Sequence, residues 1–442
     1  MKEVPLETGG PWEQLQKMLQ LCVKCGRCRA VCPVFKAVGA EPAAARGKLA
    51  LLEAWIKKRR RLGDRKLREV ISLCLLCGRC TANCPNGAGA REAVELARCI
   101  LARENGLAWS KKLLSSFSST EREARDPWIR GAGLLQRLLM RELPRERGLV
   151  LRLGATRLGD FWAPKLKPPF FLERHSEKLG SAERRVGLFV GCTIHYLAPE
   201  VGDAALKILN KMGYEVLIPK GQGCCGLMAM GMGDKQRASL LARQVVELFH
   251  LEKLEAVLVP CASCAYQLTK GIPELLSEGP LAARAKLLAE KVKELSVFLA
   301  GEEGPCVFQR EEGDFFKGSV AYHDPCHLAV GLGIRGEPRK ILRKLRRWSF
   351  KEMEGADECC GMGGSFRLFH PGVSARISGE KLERVRQAEV DAVATSCMGC
   401  WMGLKEMLHR ESKEIQVKHI CELVWEEMED AGSSSLESGG QI

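Results

Sequence analysis

The chain has 442 residues, of which 46% are hydrophobic and 28% are charged. This length predicts roughly two to four domains of about 100–200 residues each. The composition is not that of a disordered, collagen-like or low-complexity chain. A net charge of +14 is compatible with an anionic partner or surface. Since the basic residues are dispersed and no nucleic-acid-binding motif accompanies them, nucleic acid is not an expected partner.

The sequence has no apolar run of about 18 residues, the length that a transmembrane helix needs. Its first residues also contain no apolar stretch of signal-peptide length. Cysteine is unusually common, with 21 residues. In a reducing compartment, this many thiols indicates metal ligation and not disulfide bonds. We therefore expect a cytoplasmic metal-binding protein without a transmembrane segment of its own.

Residues 1–110 are predicted to form a helical domain, and they carry nine of the cysteines. Eight of these lie in two Cys-x2-Cys-x2-Cys-x3-Cys-Pro runs, the spacing of bacterial ferredoxins with two [4Fe–4S] clusters. In that arrangement the fourth cysteine of each run crosses to the other cluster. Cluster 1 is expected on Cys22, Cys25, Cys28 and Cys84, and cluster 2 on Cys74, Cys77, Cys80 and Cys32. Structural zinc is the alternative, but it does not explain why Cys-Pro occurs twice.

A basic linker with helical segments is expected at residues 111–182, which contain no cysteine. Its turn signals include Pro144, Gly154, Pro164 and Pro168-Pro169. At the other end of the chain, the small and polar residues 431–442 are expected to form a disordered tail.

An internal repeat lies between the linker and the tail and predicts two cysteine-rich lobes, residues 183–305 and 306–430. Five cysteines recur in one order at offsets of 134 to 136 residues. The lobe 1 set is Cys192, Cys224, Cys225, Cys261 and Cys264, and the lobe 2 set is Cys326, Cys359, Cys360, Cys397 and Cys400. Segments such as 187–190 and 256–259 are typical of parallel strands that alternate with helices. The cysteines follow the strand ends, where α/β folds gather ligands.

The predicted fold class is therefore α+β with α/β units. A helical two-cluster ferredoxin domain precedes two pseudo-repeated small α/β cysteine-rich lobes. Five thiolates exceed the four that a cubane cluster requires, so each lobe binds either a cubane with a spare thiolate or a cluster of unusual shape. The remaining Cys99, Cys306 and Cys421 are expected to be core residues.

Two Cys-Cys-Gly motifs, each followed by Cys-x2-Cys, come after the two ferredoxin runs. This order resembles the CCG-domain family of iron–sulfur subunits. The family includes the glycolate oxidase iron–sulfur subunit, the lactate-utilisation iron–sulfur protein, the anaerobic glycerol-3-phosphate dehydrogenase small subunit and the catalytic (D-type) heterodisulfide reductase subunit. The motifs that carry the resemblance are residues 189–192 (Phe-Val-Gly-Cys), 219–226, 323–327 (His-Asp-Pro-Cys-His) and 359–364. Glu41-Pro42 with Arg46-Gly47-Lys48, after the first ferredoxin run, strengthens it.

The resemblance implies a non-cubane [4Fe–4S] cluster on each five-cysteine set, with zinc in one set or an empty lobe as the alternatives. It also implies an electron-transfer subunit of an oxidoreductase, with no catalytic residue on this chain. The partner would be an FAD-containing 2-hydroxy-acid (glycolate or lactate) oxidase or dehydrogenase. Electrons would pass to a quinone or another carrier, through a quinone-linked membrane partner. The chain would then lie peripherally on the inner face of the membrane.

Neither FAD nor NAD is expected on this chain. The segment from Gly221 to Gly226 matches the dinucleotide-binding fingerprint G-x-G-x-x-G. However, two of its variable positions are Cys224 and Cys225, and the second repeat lacks the first glycine. We therefore interpret this segment as part of a cysteine motif.

An alternative function is that of a heterodisulfide reductase-like catalytic subunit, which would reduce a disulfide at the non-cubane clusters. His195, His323 and His327 lie close in sequence to the first cysteine of each set and would then be proton donors. A pocket between the lobes would favour this alternative. A third hypothesis, a zinc-stabilised scaffold, predicts a colourless protein. The sequence is thus compatible both with an enzyme and with an electron-transfer subunit that carries out no substrate chemistry itself.

Overall fold

The computed structural model describes residues 10–57, 64–119, 122–143, 148–151, 162–301, 316–409, 411 and 414–437. Cys306 and residues 438–442 lie outside this part of the chain. Within it, no helix is both long and apolar enough to cross a bilayer.

The N-terminal domain is helical. Its helices are α1 (Pro11–Gln20), α2 (Arg27–Ala30), α3 (Pro33–Val38), α4 (Ala45–Lys57), α5 (Asp64–Ser72), α6 (Arg79–Ala82) and α7 (Ala90–Asn105). Buried Leu15, Leu52 and Trp55 lie in its core. Each cysteine run turns into a short helix, α2 or α6, directly after Gly26 (φ 87°) or Gly78 (φ 74°). Glycine adopts this left-handed backbone at little cost, which allows the tight turn.

The linker contains helices and a small sheet. Its helices are α8 (Trp109–Ser119), α9 (Arg122–Leu139) and α10 (Phe171–Arg174), and its strands are β1 (Met140–Glu142), β2 (Leu149–Leu151) and β3 (Trp162–Ala163). The strands pair antiparallel in the order β1-β2-β3. The sequence did not predict this sheet, because strands of two or three residues are too short to show alternation.

Lobe 1 is an α/β unit with a five-stranded sheet. Its strands are β4 (Lys178–Leu179), β5 (Arg185–Leu188), β6 (Glu215–Leu217), β7 (Ala256–Val259) and β8 (Val292–Glu294). They are ordered β4-β6-β5-β7-β8, and all neighbours are parallel except β4 and β6. Its helices are α11 (Gly191–Leu197), α12 (Pro199–Lys211), α13 (Leu227–Met232), α14 (Lys235–Glu247), α15 (Ala262–Tyr266), α16 (Ile272–Leu275), α17 (Ala282–Lys291) and α18 (Leu295–Ala300).

Lobe 2 repeats this plan with four parallel strands. Its strands are β9 (Gly318–Tyr322), β10 (Trp348–Phe350), β11 (Ala392–Thr395) and β12 (Gln416–His419), in the order β10-β9-β11-β12. Its helices are α19 (Gly336–Lys344), α20 (Phe366–Phe369), α21 (Pro371–Gln387), α22 (Met398–Leu408) and α23 (Ile420–Glu437). The disordered tail was expected from residue 431, whereas α23 continues to Glu437.

The register of the central strands shows the repeat directly. Val186 of β5 lies opposite Ala256 of β7, and Val320 of β9 lies opposite Ala392 of β11. The predicted fold class is confirmed: a helical ferredoxin-like region precedes two related α/β lobes. The lobes share one hydrophobic core, in which α12 packs against α23. The loops after β7 and β11 contact each other, since the amide of Ala262 donates to the carbonyl oxygen of Ser396 at 2.8 Å.

Candidate metal centres

The first ferredoxin run gathers three thiols around α2. Cys28 lies beside Cys22 and Cys25, and burial together with these two thiols raises its pKa. Two side-chain amides next to Cys84 form hydrogen bonds to the backbone of the first run. Asn83 donates to the carbonyl oxygen of Arg27 at 3.3 Å, and Asn86 donates to that of Leu21 at 2.9 Å. The distant fourth cysteine is thus anchored next to the first run.

The second run takes its fourth thiol from the first run. Burial raises the pKa of Cys80 well above its usual value, and its thiol neighbours Cys74, Cys77 and Cys32 act in the same direction. The amide of Phe35 donates to Cys32 Sγ at 3.4 Å, and the amide of Leu76 donates to Cys74 Sγ at 3.4 Å. Cys32 of the first run therefore lies with the thiols of the second run.

A buried lysine accompanies the second group. Lys48 of α4 is 2% exposed and donates to the carbonyl oxygen of Ala43. Its ammonium lies near the thiols of Cys32, Cys74 and Cys80, while burial lowers its pKa. In the sequence, Lys48 stands out only as part of the motif Arg46-Gly47-Lys48, and nothing there indicates that its ammonium is buried beside the second group.

In lobe 1 the five cysteines converge from three segments of the chain. Their thiols form a hydrogen-bonded chain in the order Cys192, Cys224, Cys225, Cys264, Cys261. Hydrogen bonds from Cys224 and Cys264 hold the pKa of Cys225 below its usual value. The amide of Gly226 donates to Cys224 Sγ at 3.4 Å. Gly191, with φ 67°, brings the backbone against Cys264, because a Cβ there would meet its Sγ at 3.0 Å.

Lobe 2 has a similar arrangement, in which Cys326 lies near the other thiols and a histidine is added. Hydrogen bonds from Cys359 and Cys400 hold the pKa of Cys360 well below its usual value, and His323 acts in the same direction. One nitrogen of His323 and the sulfurs of Cys360 and Cys400 all lie within 4.8 Å of one another. The repeat places Phe189 at the equivalent position of lobe 1. The two sets are therefore chemically different in spite of their common fold.

The two cysteine sets meet at their Cys-x2-Cys motifs. A thiol hydrogen bond joins Cys261 to Cys397 and contributes to the low pKa of Cys397. Ser263 Oγ lies 3.1 Å from Cys397 Sγ and shares a hydrogen bond of 2.8 Å with His327 Nδ1. The ring of His327 stacks on Tyr266 with a centroid distance of 5.0 Å. Sequence reasoning missed Ser263, because its counterpart in the other motif is a glycine.

The ferredoxin domain approaches lobe 2 through its second run. Cys77 lies close enough to Cys326 and Cys359 to raise the pKa of both thiols, in addition to the effect of burial. Arg79 Nη2 forms an ion pair of 2.8 Å with Asp357. Leu75 packs in a shared apolar cluster with Phe366 and Ile377 of lobe 2.

A cavity of about 460 Å³ lies where the second ferredoxin run and the cysteine sets of the two lobes meet. All ten lobe cysteines line it, together with Cys74 and Cys77 of the second ferredoxin run. His323 and His327 line it as well. His195 is not among its described lining residues. This imidazole is buried between Phe170 and Tyr196, its Nδ1 accepts from the amide of Leu172 at 3.2 Å, and burial lowers its pKa to about 3.

The remaining sequence features have structural roles. In the glycine-rich loop, the buried Gln222 accepts from the amide of Val190 at 2.8 Å and donates to the carbonyl oxygens of Leu188 and Pro219. The loop is thus fastened to β5. Cys99 and Cys421 are buried, as expected for core residues.

The donor groups of these centres fit iron–sulfur clusters. They are sulfur atoms of buried or half-buried cysteines, with Cys25 as the one exposed member, and backbone amides point at several of them. Such N–H···S bonds stabilise and tune cluster thiolates.

Comparison with known proteins agrees with this chemistry. Residues 18–88 match the 4Fe-4S dicluster domain, and residues 186–269 and 320–405 match the cysteine-rich CCG domain. The chain is 28% identical over 427 residues to the "Probable glycolate oxidase iron-sulfur subunit" of Bacillus subtilis, covering 92% of this chain and 93% of that protein.

Two further relatives have different names. "Lactate utilization protein A 2" of Bacillus cereus is 31% identical over 241 residues, covering 54% of this chain and 97% of that protein. A CoM/CoB fumarate reductase subunit of Methanothermobacter marburgensis is 28% identical over 418 residues, covering 92% of this chain and 72% of that protein. The chain therefore belongs to the CCG-domain family of iron–sulfur proteins that includes lactate utilization protein A and the glycolate oxidase iron–sulfur subunit.

Proposed function

We propose that this chain is the electron-transfer subunit of an oxidoreductase whose separate FAD-containing subunit oxidises glycolate or lactate. The observation that supports it best is the succession of thiol groups through the molecule. The second ferredoxin group adjoins lobe 2 at Cys77, and lobe 2 adjoins lobe 1 where Cys397 meets Cys261. Centres placed in contact in this way suit the transfer of single electrons.

The proposal keeps the domain division and the four sets of cysteine ligands that were expected from the sequence. The two ferredoxin groups would each hold a cubane [4Fe–4S] cluster, and the two five-cysteine sets would each hold a further, non-cubane cluster. When bound, such clusters supply one-electron redox chemistry. The contribution of the chain is to bury the thiols, to keep water away and to direct amide donors at the sulfurs.

The partners are proposed from the names of the relatives. A 2-hydroxy acid loses two electrons together, so a flavin on another subunit would divide the pair for single transfer. A quinone, reached through a membrane partner, would be the final acceptor. The chain would then be cytoplasmic and would associate with the inner face of the membrane.

Metal analysis after anaerobic purification is the first test of the cofactor assignment. Four clusters require about sixteen irons and as many sulfides per chain. About eight irons together with zinc would show that both lobes are structural, and would overturn the proposed path. The double variant Cys359→Ser/Cys360→Ser should lose only the lobe 2 iron.

The partner assignment needs a separate test. The chain should co-purify from cells with an FAD-containing 2-hydroxy-acid dehydrogenase. Its clusters should then be reduced when glycolate or lactate is added to the complex. A fully loaded chain that no such flavoprotein reduces would contradict the partner and leave the cofactor assignment intact.

The cavity between the lobes favours one alternative, reduction of a disulfide at the two cysteine sets. Ten thiols and the imidazoles of His323 and His327 face this space, which would let a small disulfide approach both sets. In this alternative the two imidazoles would be the proton donors. His195 does not line the cavity in the described part of the chain, which disfavours it in that role.

A direct assay separates the two functions. The loaded protein would be mixed with reduced viologen dye and a small organic disulfide. Dye oxidation that depends on the disulfide and disappears in His327→Ala would support the reductase. Electron transfer from a flavoprotein with no disulfide-dependent dye oxidation would support the electron-transfer role.

A further inference from the structure

Helix α9 of the linker presents an exposed apolar face. Trp128 is 77% exposed, Leu134 is 67% exposed and Leu138 is 71% exposed, and Leu135 and Leu139 are about half exposed. Monomeric proteins seldom leave so many large apolar side chains together in water, and contiguous patches of this kind mark interaction sites.

The face is continuous along the helix. With about 3.6 residues per turn, the five large side chains fall on one side of α9. The positions between them are small or apolar: Ala124, Pro127, Gly131 and Ala132. This exposed side covers nearly half of the circumference, and it contains no charged or polar side chain among the described residues of α9.

The opposite side of α9 is anchored to lobe 1. Asp126 accepts a hydrogen bond of 2.6 Å from the hydroxyl of Tyr196, and Arg125 Nε donates to the same hydroxyl oxygen at 3.0 Å. Ile129 is buried against Phe170 and Tyr196. The apolar side of α9 is thus held outward by buried polar contacts on its other side.

The linker that contains α9 is basic in sequence. Between residues 122 and 167 the sequence contains eleven Lys and Arg residues and five Asp and Glu residues. Arg130 and Arg137 border the apolar face along one edge, and Arg130 also pairs with Glu173 at 2.6 Å. A positive border beside a Trp- and Leu-rich face complements a negatively charged bilayer surface.

We propose that α9 docks this protein on an anionic membrane, with the helix parallel to the bilayer and its apolar side among the lipid headgroups and upper acyl chains. Docking on a protein would be expected to use polar groups interspersed with apolar ones, since such interfaces carry many hydrogen bonds. Among the side chains of α9 that the structure describes, the apolar side offers no donor or acceptor except the indole N–H of Trp128. Tryptophan is itself enriched at the level of the headgroups.

Docking through α9 would place the bilayer close to the cysteines of lobe 1. The functional value of this placement rests on the proposed electron-transfer function. Arg125 Nη2 lies 3.8 Å from where a Cβ would stand at Gly223, next to Cys224. The buried side of α9 therefore adjoins the lobe 1 cysteines. A bilayer on the other side would lie about one helix diameter away, roughly 10–12 Å. A lipid-soluble electron acceptor would thereby come close to lobe 1.

Vesicle flotation tests the docking. The purified, iron-loaded full-length chain is mixed with vesicles of phosphatidylglycerol and phosphatidylcholine, or of phosphatidylcholine alone, and the bound fraction is measured. We expect binding to the mixed vesicles that is weakened by high salt and is at least tenfold weaker without phosphatidylglycerol. Leu134→Glu/Leu138→Glu should reduce binding to the mixed vesicles at least tenfold. The matched control is Leu240→Glu, an exposed leucine on α14, which should bind as the wild type does.

Several outcomes would overturn the proposal. These are wild-type protein that does not float with the mixed vesicles, and a double variant that floats as well as the wild type. A double variant that loses a flavoprotein partner and has normal vesicle binding would assign α9 to a protein interface instead. Iron content and dye-driven reduction are measured on the same samples, because their loss would indicate failure of the proposed electron transfer and not of docking.

Discussion

Glu294 and His419 occupy equivalent places in the two lobes. Each ends a strand within a similar sequence, Val-Lys-Glu in β8 and Val-Lys-His in β12. Each also accepts a hydrogen bond from the amide two residues later, that of Ser296 at 2.9 Å or that of Cys421 at 3.3 Å. Both side chains are buried, and each leaves one polar atom without a partner in the described part of the chain. One helix-capping role is thus filled by an acid in one lobe and by a base in the other.

The buried acid predicts a pH-dependent stability. Burial raises the pKa of Glu294 from 4.5 to about 8. An acid whose pKa is raised on folding is protonated in the folded state and ionised when unfolded, so stability falls as pH rises from about 5 to about 8. Glu294→Gln removes this loss and keeps the oxygen that accepts from Ser296. At pH 7 we expect the Glu294→Gln protein to be more stable than wild type by on the order of 3 kcal/mol. At pH 5 we expect the two proteins to have nearly the same free energy of unfolding.

Anaerobic thermal unfolding at a series of pH values measures this difference. Glu142→Gln, in which the replaced carboxylate is exposed, is the control and should keep the wild-type pH dependence. Parallel curves for wild type and Glu294→Gln between pH 5 and pH 8 would show that Glu294 is ionised in the folded protein.

Lys48 predicts an electrostatic effect on the second ferredoxin centre. A positive charge near Cys32, Cys74 and Cys80 stabilises the more negative, reduced state of whatever these thiolates hold. Lys48→Met should therefore lower the reduction potential of cluster 2, by on the order of 50 mV for an interaction of about 1 kcal/mol. EPR-monitored redox titration gives this potential.

Lys57→Met on the same helix is the matched control for Lys48. Lys57 is exposed and pairs with Glu53 four residues earlier, so its removal should leave the potential unchanged. If the potential of the Lys48→Met protein equals that of wild type, Lys48 is neutral where it lies.

Among the elements, α7 is tied to lobe 1 by the half-buried guanidinium of Arg98. Arg98 donates to the carbonyl oxygens of Ile71, Ser72 and Cys74, and also to that of Gly231 in α13. Arg98 is thus shared by the end of α5, the start of the second cysteine run and a helix of lobe 1. We expect Arg98→Met to destabilise the protein by about 3–5 kcal/mol, since it leaves several buried carbonyl groups unpaired.

Thermal unfolding and iron content test the role of Arg98 together. The Arg98→Met protein should unfold at a lower temperature than wild type and should lose iron from cluster 2 first. The Arg98→Lys protein should recover part of the lost stability and iron content. Arg103→Met, on the exposed side of the same helix, should behave as wild type. Normal stability and normal iron content in Arg98→Met would show that water replaces these hydrogen bonds.

The elements also show which parts of this protein can be predicted from sequence. The cysteine runs and the repeated strands were predictable, because ligand spacing and a constant repeat interval are local or periodic signals. The β1–β3 sheet was not, since its strands are too short for a period. Strand β4 joins the sheet of lobe 1 from within the predicted linker, and a two-residue pairing of this kind depends on tertiary contacts. Ser263 and Lys48 acquire their importance only from what folds against them.

In the whole molecule, the three cysteine-bearing units form a series with unequal contacts. The second ferredoxin run lies against lobe 2 through Cys77, and lobe 1 adjoins lobe 2 through Cys261. Sequence spacing could not provide this order, because the cysteine sets are equally complete in both lobes. It follows only from which surfaces pack together, including the Arg79–Asp357 ion pair and the apolar cluster around Leu75.

This order predicts unequal magnetic coupling between the centres. Two paramagnetic clusters broaden each other's EPR signals, and the effect falls steeply with distance. In fully reduced protein, the signal of cluster 2 should narrow when lobe 2 is emptied by Cys359→Ser/Cys360→Ser. The matched lobe 1 variant, Cys224→Ser/Cys225→Ser, should leave that signal almost unchanged. Equal narrowing in both variants would mean that cluster 2 is equally close to the two lobes. Electrons could then enter either lobe from the ferredoxin domain, and the order of transfer through lobe 2 would be wrong.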